Sequence, residues 1–428
     1  PGQAREGAQL CPIPVAELTE SRNKLVQNTV AVGAIMSLLG LDAKALEDSL
    51  TLRFQRYGQS VVYENVKVAR AGFDYSRENF EAFSDPLPTG PKPLAVWSGN
   101  DALAMGGAAA GVKFYAAYPM SPSTGVLHWM AQNARALGIM VRQAEDEIAV
   151  ANMVIGAAHT GCRSMCATSG GGFALMSEAI GSAGMMEIPV VFIDVQRAGP
   201  STGVPTKTEQ GDLWQILGAS QGDYQRFIVA PKDDLDAYNT MPELFNLTDK
   251  YQCPGIVITD LLISEGTFSV DPDDINLRPN IERGDLITEA SSSDGYMRYE
   301  NTESGVSPRA LPGVEGYVHV VATDEHDEDS KLLSDEFTNP LKRRKMVEKR
   351  ARKFEDLLAN IEPPQLEGPK DAEVTLIGWG STYGVIKEAT EILKRKGIVA
   401  NHLHIKWIVP LHSDVVTEIL SLSKLTII

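Results

Sequence analysis

Four short stretches hold the residue types that could do chemistry, and each follows an apolar run of strand length. The first is Pro119-Met120-Ser121-Pro122-Ser123-Thr124. Its two prolines fix the backbone, and its three hydroxyls can bind a ligand. Simple N-capping of a following helix by Ser121 or Ser123 accounts for the same hydroxyls. The second stretch is Ala144-Glu145-Asp146-Glu147. Acids in a first helical turn complement the helix dipole, by about 0.3–1 kcal/mol each. That explains Glu145 and Asp146. Glu147 is followed by Ile148, Ala149, Val150 and Ala151, so its helix should be buried, and a buried carboxylate needs a partner or a proton. A carboxyl poised by burial is a common acid–base device.

The third stretch is Thr168-Ser169-Gly170-Gly171-Gly172. Glycines between a strand and a helix let backbone approach a ligand closely, although such turns also serve tight strand–helix packing. No lysine follows, so this is not a Walker A loop, and the GxGxxG pattern is absent. The fourth stretch, Gln196 to Asp212, is seventeen residues rich in glycine, proline and hydroxyls, with one arginine. A connection of this length exceeds what joining two elements requires. Arg197 can hold a carboxylate through two parallel hydrogen bonds, or be paired locally with Asp194 or Glu209.

These stretches need a scaffold that aligns them, and the chain between about 94 and 270 supplies one. Strands are expected at Phe114–Tyr118, Met140–Gln143, Ser164–Thr168, Val190–Val195, Arg226–Val229 and Gly255–Thr259. Helices are expected at Asp101–Gly111, Ser123–Leu137, Glu147–His159, Phe173–Gly184, Gln210–Gly218 and Leu235–Asp249. The alternation signals an α/β fold, a doubly wound parallel sheet with helices on both faces. In such sheets ligands bind at the carboxyl ends of the strands, where all four stretches fall.

Elsewhere the chain is less regular. Residues 1–77 hold an apolar helix, Asn28–Leu39, which reads as packing closely on a sheet, and an amphipathic helix, Ala43–Arg53. They look like the end of a domain whose start is missing. Residues 78–93 form a linker whose Ser84–Pro93 part holds four prolines. Residues 271–370 form an interdomain segment with an acidic run, Asp324–Asp329, around His326, and a basic helix, Leu341–Phe354. The acidic run reads as a solvated turn, and the basic helix as pairing with acidic surface. A third unit, 371–428, begins with strand Val374–Ile377, a glycine turn, helix Tyr383–Lys396 and strand His402–Ile408, and then stops within an apolar run. His402 and His404 read as surface or packed residues.

Composition bounds the function. The chain has 428 residues and a net charge of −17, which disfavours nucleic acid and anionic membrane as partners. No apolar run is long enough to span a bilayer, since Glu178 and Glu187 interrupt the longest, and residues 1–6 lack a signal-peptide core. Four cysteines without a CxxC pair suggest a reducing cytoplasm. Cys162 and Cys166, read as lying in one strand roughly 13 Å apart, are too distant to bridge.

Taken together, Tyr118–Thr124, Glu147 with its helix, Thr168–Phe173 and Gln196–Leu213 resemble the alpha subunit of the thiamine-diphosphate-dependent 2-oxoacid:ferredoxin oxidoreductases. The layout is most similar to the 2-oxoglutarate enzymes with part of a gamma subunit fused ahead of alpha. Residues 11–77 resemble the end of the gamma domain and 371–428 the start of a transketolase C-terminal-like domain. The resemblance implies that residues 94–270 bind the cofactor's aminopyrimidine, with Glu147 at its N1′ nitrogen and Tyr118, Pro119, Ser169 and Gly170 around it. It implies that Arg197 binds the substrate carboxylate, with Ser121 and Thr206 as pocket hydroxyls. The Ser121 position is usually threonine in this family, and a proline often replaces the second glycine of the turn.

The resemblance also implies what the chain lacks. Thiamine enzymes hold the diphosphate through Mg²⁺ with a GDG motif, and no GDG triplet occurs here. A beta subunit carrying Mg²⁺ and a [4Fe–4S] cluster is therefore expected as partner, in an α2β2 assembly. That assembly would convert a 2-oxo acid, CoA and oxidised ferredoxin to acyl-CoA, CO2 and reduced ferredoxin, or run in reverse to fix CO2. Rival readings are a pyruvate or branched-chain substrate, a non-oxidative thiamine decarboxylase, and a non-catalytic assembly subunit. The gamma-like segment argues against the decarboxylase, and the joint retention of Glu147, Arg197 and Thr206 argues against the assembly subunit.

Overall fold

A computed structural model describes residues 8–19, 24–85, 87, 90, 92–290, 295–333 and 339–428. Residues 1–6, and residues 86, 88, 89 and 91 of the proline-rich linker, lie outside that set. The chain divides into two compact units, Pro1–Pro93 and Leu94–Ile428.

In the first unit, α1 (Lys24–Leu38), α2 (Ala43–Phe54) and α3 (Gln59–Asn79) pack on one another. Among the described residues, α1 packs chiefly on α3. The two helices cross at Gly33 and Gly72, where an added Cβ would run into the backbone of Ala69 and Val30 on the opposite helix. Thr29 donates to Asn65 Oδ1 at 3.1 Å across the same contact. The sequence reading missed α3 because its buried stripe mixes Asn65, Gly72 and Ser76 with Val62, Val68 and Phe73, which blurs the apolar period.

The second unit runs β1 (Ala95–Ser98), α4 (Gly99–Ala109), β2 (Phe114–Ala117), α5 (Thr124–Leu137), β3 (Met140–Gln143), α6 (Glu147–His159), β4 (Ser164–Thr168) and α7 (Gly170–Met185). It continues through β5 (Val191–Gln196), α8 (Leu213–Leu217), β6 (Phe227–Val229), α9 (Asp234–Tyr251), β7 (Gly255–Asp260), α10 (Leu261–Ser264) and β8 (Thr267–Val270). The central sheet has the order β14-β6-β7-β5-β4-β2-β3. Every pairing in it is parallel except that of β14 (Trp407–Val409) with β6. Side chains alternate between two cores. Tyr115, Met165, Ile193 and Val257 face the core built with α4, α5 and α9, whereas Ala116, Cys166, Phe192 and Ile256 face α6 and α7. The helix after β2 thus lies on one face and the helix after β4 on the other. That reversal opens a crevice at the carboxyl ends of these neighbouring strands.

The remaining elements are β9 (Leu286–Ile287), β10 (Arg309–Ala310), α11 (Pro340–Arg352), β11 (Leu366–Glu367), β12 (Val374–Trp379), α12 (Thr382–Arg395), β13 (Ala400–Ile405), α13 (Ser413–Leu422) and β15 (Thr426–Ile427). The basic helix α11 pairs with the acidic run: Lys345 meets Glu328 at 2.7 Å and Arg350 meets Glu325 at 2.9 Å. His326 is not in a solvated turn. It is fully buried and stacks on Tyr299 with centroids 3.8 Å apart, while Nδ1 contacts the Asp324 carbonyl at 2.7 Å. Cys162 also departs from the strand expected for it and lies in the turn before β4.

The strand expected over His402–Ile408 is divided between two sheets. β13 lies within the small sheet β11-β13-β12-β15, and β14 crosses to the edge of the central sheet. Lys406 marks the break. Its ammonium meets Asp236 at 2.9 Å and Glu243 at 3.1 Å, and its carbonyl accepts from the Ala230 N–H at 2.8 Å.

His402 and His404 pack beside Tyr383, and their ring nitrogens are buried without hydrogen-bond partners. Burial, then the neighbouring His402, pulls His404 down to about 4. A group depressed in the fold contributes stability above its unfolded pKa and loses it as pH falls through the folded value. We therefore expect stability to decline as pH drops from about 6.5 to about 4, by up to about 3 kcal/mol. Denaturant unfolding across this range should show a flatter decline in His404→Phe. An unchanged slope in that variant would remove the assignment.

Candidate functional site

The site grows from the first turn of α7. Ser169 precedes this helix as N-cap but makes no side-chain cap bond, and its hydroxyl is buried without a partner. Gly170 and Gly172 then admit two carboxyl groups onto the helix backbone. A Cβ on Gly170 would lie 2.5 Å from Oδ2 and 2.6 Å from Cγ of Asp212. One on Gly172 would lie 2.6 Å from Oε1 and 2.8 Å from Cγ of Glu147, and would strike the Thr168 hydroxyl. A Cβ on Gly171 would meet only the Ser201 carbonyl, at 3.9 Å.

Glu147 is the first residue of α6, which Asp146 caps by accepting from the Ala149 N–H at 2.7 Å. Glu145 and Asp146 are exposed, whereas Glu147 is 3% exposed. The helix is less buried than its composition suggests, since Ile148 is 51% exposed. Glu147 Oε1 is buried and has no hydrogen-bond partner. A buried acceptor of this kind suits a ligand that brings its own donor or proton.

Arg197 leaves the end of β5 half-buried and donates to the Ser121 carbonyl at 2.6 Å. Neither carboxylate weighed as its partner takes it. Glu209 accepts instead from the Gly199 N–H at 3.0 Å, and Asp194 is fully buried. Among the described residues no carboxylate stands within ion-pair distance of Arg197, so its remaining N–H groups are available. The loop carrying it folds on itself through Ala198 N–H to Lys207 and Val204 N–H to Ala198. It is tied down at its far end by the Asp212 N–H to Gln196 (3.0 Å), Gln215 to the Gly170 carbonyl (2.8 Å) and Gln210 to the Trp379 carbonyl (3.2 Å).

A cleft of about 720 Å³ lies between this loop and the α7 turn, and Met120, Ser169, Gly170, Arg197, Glu209 and Asp212 are among the residues that line it. The structure thus brings together Ser169, Gly170 and Arg197. Glu147 sits behind the cleft wall against Gly172. Ser121 reaches Arg197 through its carbonyl, and its hydroxyl is not part of the lining. Tyr118, Pro119 and Thr206 are exposed and stand outside the lining; Thr206 occupies the turn between Val204 and Lys207.

The sequence reading missed Asp212 and treated Asp194 only as a partner for Arg197. Asp194 was legible as a lone carboxylate within the apolar run Val190–Val195. Burial pushes its carboxyl well above the usual range, and the Asp212 charge adds to the push. Burial also raises Asp212, as does the Glu209 charge, while Arg197 acts in the opposite direction.

We expect Gly172→Ala to cost about 1–3 kcal/mol of stability by overpacking, and Gly171→Ala to stay within ~1 kcal/mol of the parent. Denaturant titration of both variants checks this; equal costs would mean the turn does not discriminate between its glycines.

Comparisons with known proteins come to the same region. The family described as pyruvate flavodoxin/ferredoxin oxidoreductase, thiamine diphosphate-binding, matches residues 105–346. That described as pyruvate ferredoxin/flavodoxin oxidoreductase matches residues 1–75. The chain is 32% identical to 2-oxoacid:ferredoxin oxidoreductase 2, subunit alpha, of Aeropyrum pernix, over 97% of this chain and 68% of that protein. It is 33% identical to the 2-oxoglutarate oxidoreductase subunit KorA of Mycobacterium tuberculosis, over 90% of this chain and 59% of that protein. The chain thus spans about two thirds or less of the length of these relatives. The structure of 2-oxoglutarate:ferredoxin oxidoreductase from Magnetococcus marinus, with 2-oxoglutarate, coenzyme A and succinyl-CoA bound, superposes with a TM-score of 0.88 at 33% identity. That match covers 100% of this chain and 74% of the other. No helix among the described residues is long and apolar enough to cross a membrane.

Proposed function

Because this chain belongs to the alpha subunits of the 2-oxoacid:ferredoxin oxidoreductases, we propose that it supplies the aminopyrimidine-binding half of an active site that oxidatively decarboxylates a 2-oxo acid. The products are acyl-CoA, CO2 and reduced ferredoxin. The observation that carries this reading is the Glu147 carboxylate, 3% exposed, with an oxygen that no group among the described residues satisfies. The donor set fits the cofactor: an orphaned buried acceptor stands beside a glycine turn open enough for a ring to approach.

Thiamine diphosphate, when bound, supplies the nucleophilic carbon and the electron sink for breaking a bond next to a carbonyl. Glu147 would hold the N1′ nitrogen of its aminopyrimidine and exchange a proton there, helped by burial that keeps water away. Ser169 and Gly170 would border the ring, with Tyr118 and Pro119 on the β2 side. Arg197, oriented by the Ser121 carbonyl, would clamp the substrate carboxylate. Thr206, exposed in the Val204–Lys207 turn of the same loop, would be a further hydroxyl for that carboxylate.

The favoured substrate is 2-oxoglutarate, which the name of the Mycobacterium tuberculosis relative and the ligands of the Magnetococcus marinus structure support. The absence of a GDG triplet and of clustered cysteines from the sequence supports a beta partner that carries Mg²⁺ and a [4Fe–4S] cluster. We extend the proposal to an α2β2 cytoplasmic assembly with ferredoxin as electron acceptor.

Glu147→Gln should abolish CoA-dependent viologen reduction by the assembled complex without preventing assembly; near-normal turnover would sink the assignment. Arg197→Ala should raise KM for the oxo acid far more than KM for CoA. Assaying a panel of 2-oxo acids tests the substrate, and equal effects on both constants would count against the clamp.

A further inference from the structure

One acidic group at this site has no task in the mechanism above. Asp194 lies on β5 between Thr168 of β4 and Ile258 of β7, in the interior of the central sheet. It is fully buried, and neither of its oxygens meets an N–H or O–H donor. Asp194 and Gln196 lie on the same face of β5, and Gln196 accepts the Asp212 N–H at 3.0 Å, which brings the Asp212 carboxyl, seated over Gly170, into the same buried cluster as Asp194. Asp212 Oδ2 is likewise buried and unpartnered. Two carboxylates can only accept, so a close contact between them requires one proton.

Asp212 is not free to swing away. Its backbone is tied to Gln196, its carboxyl lies over Gly170, and Gln215 holds the same glycine from the other side. The charged groups around the pair come from a few elements. The loop contributes Glu209 and Arg197. The first turn of α7 is glycine and contributes none. On α6, Glu147 stands across Gly172. On β7, Asp260 is engaged by the Leu262 and Ile263 N–H groups and by Ser381.

We infer that Asp194 and Asp212 share one proton and thereby limit the negative charge on the cleft wall beside Arg197, which makes Asp194 a positioning residue for the substrate carboxylate. Glu209 is already occupied by the Gly199 N–H, so Asp212 is the carboxylate that competes for the Arg197 guanidinium. With the proton in place, the pair carries a single charge and Arg197 remains available. Once the proton leaves to solvent as pH rises, the pair carries two charges, and Arg197 is drawn toward Asp212 and away from substrate.

This inference rests on the proposed role of Arg197 as the carboxylate clamp. In the assembled complex, KM for the oxo acid should rise with pH once the pair loses its proton, by up to about tenfold per pH unit, while KM for CoA does not follow. Asp194→Asn, whose amide donates to Asp212 and cannot ionise, should lose that rise. Retention of the wild-type rise in this variant overturns the positioning role. A second measurement needs neither the variant nor turnover. Infrared spectra of the wild-type complex labelled with ¹³C-aspartate should show a protonated-carboxyl band above the ordinary aspartate range that disappears as pH is raised further. Absence of the band overturns the shared proton, whatever Arg197→Ala does. If the band is present but Arg197→Ala leaves KM for the oxo acid unchanged, the clamp fails, and the positioning role with it, while the shared proton stands.

Discussion

Close contact between carboxyl groups and the backbone of one glycine turn is the constraint on which the site depends. Without side chains at Gly170 and Gly172, α7 lets Asp212 come down on its first residue and Glu147 on its third. Each contact anchors a different piece of the site. Glu147 arrives from α6 and, in the proposed mechanism, marks where a proton would be exchanged. Asp212 arrives at the end of the loop that carries Arg197, which in the proposed mechanism would hold the substrate carboxylate. The order of the central sheet makes this convergence possible, because the helices after β2 and β4 depart to opposite faces and leave their strand ends open between them.

Much of this was legible in the sequence because it depends on local pattern. The alternation of short apolar runs with small-residue helices located the central sheet, and the bounds of β3, β4 and α6 agree with the structure to the residue. The burial of Glu147 could be read from its neighbours. What escaped reading depends on tertiary contact. The α3 helix hides its buried face behind polar and small residues that find partners only in α1. The strand over 402–408 looks continuous because Leu403, Ile405, Trp407 and Ile408 run on across Lys406, and only the carboxylates of α9 reveal that Lys406 divides it. Thr206 shares a loop with Arg197, but the fold of that loop turns it outward. His326 sits among acids that look solvated until α11 and Tyr299 cover it.

The segment between the central and small sheets is seated by buried ion pairs as well as by apolar packing. Glu187, fully buried at the end of α7, receives Lys349 at 2.8 Å and is also contacted by Lys353. Burial alone would push its carboxyl up, but the two lysines outweigh burial and hold it below the usual carboxylate range. Asp249 plays a similar part for the segment after β8, with Arg163 and Arg283 both at 2.8 Å and Arg309 at 3.4 Å. Such pairs add little net stability over apolar packing, but removing one partner leaves an uncompensated buried charge. They act as registration pins that admit one seating of the segment on the sheet.

The division of one strand across two sheets has a mechanical consequence. β13 and β14 are joined through Lys406 alone, whose carbonyl and ammonium are both engaged by the central sheet and α9. The small sheet therefore has no slack against the central one at this joint. Gln210, bonded to the Trp379 carbonyl at the end of β12, ties the rear of the cleft to that stiff frame. Any widening of the cleft must then come from the free span of the loop between Arg197 and Glu209, with the two sheets acting as a fixed jaw and the loop as the moving one.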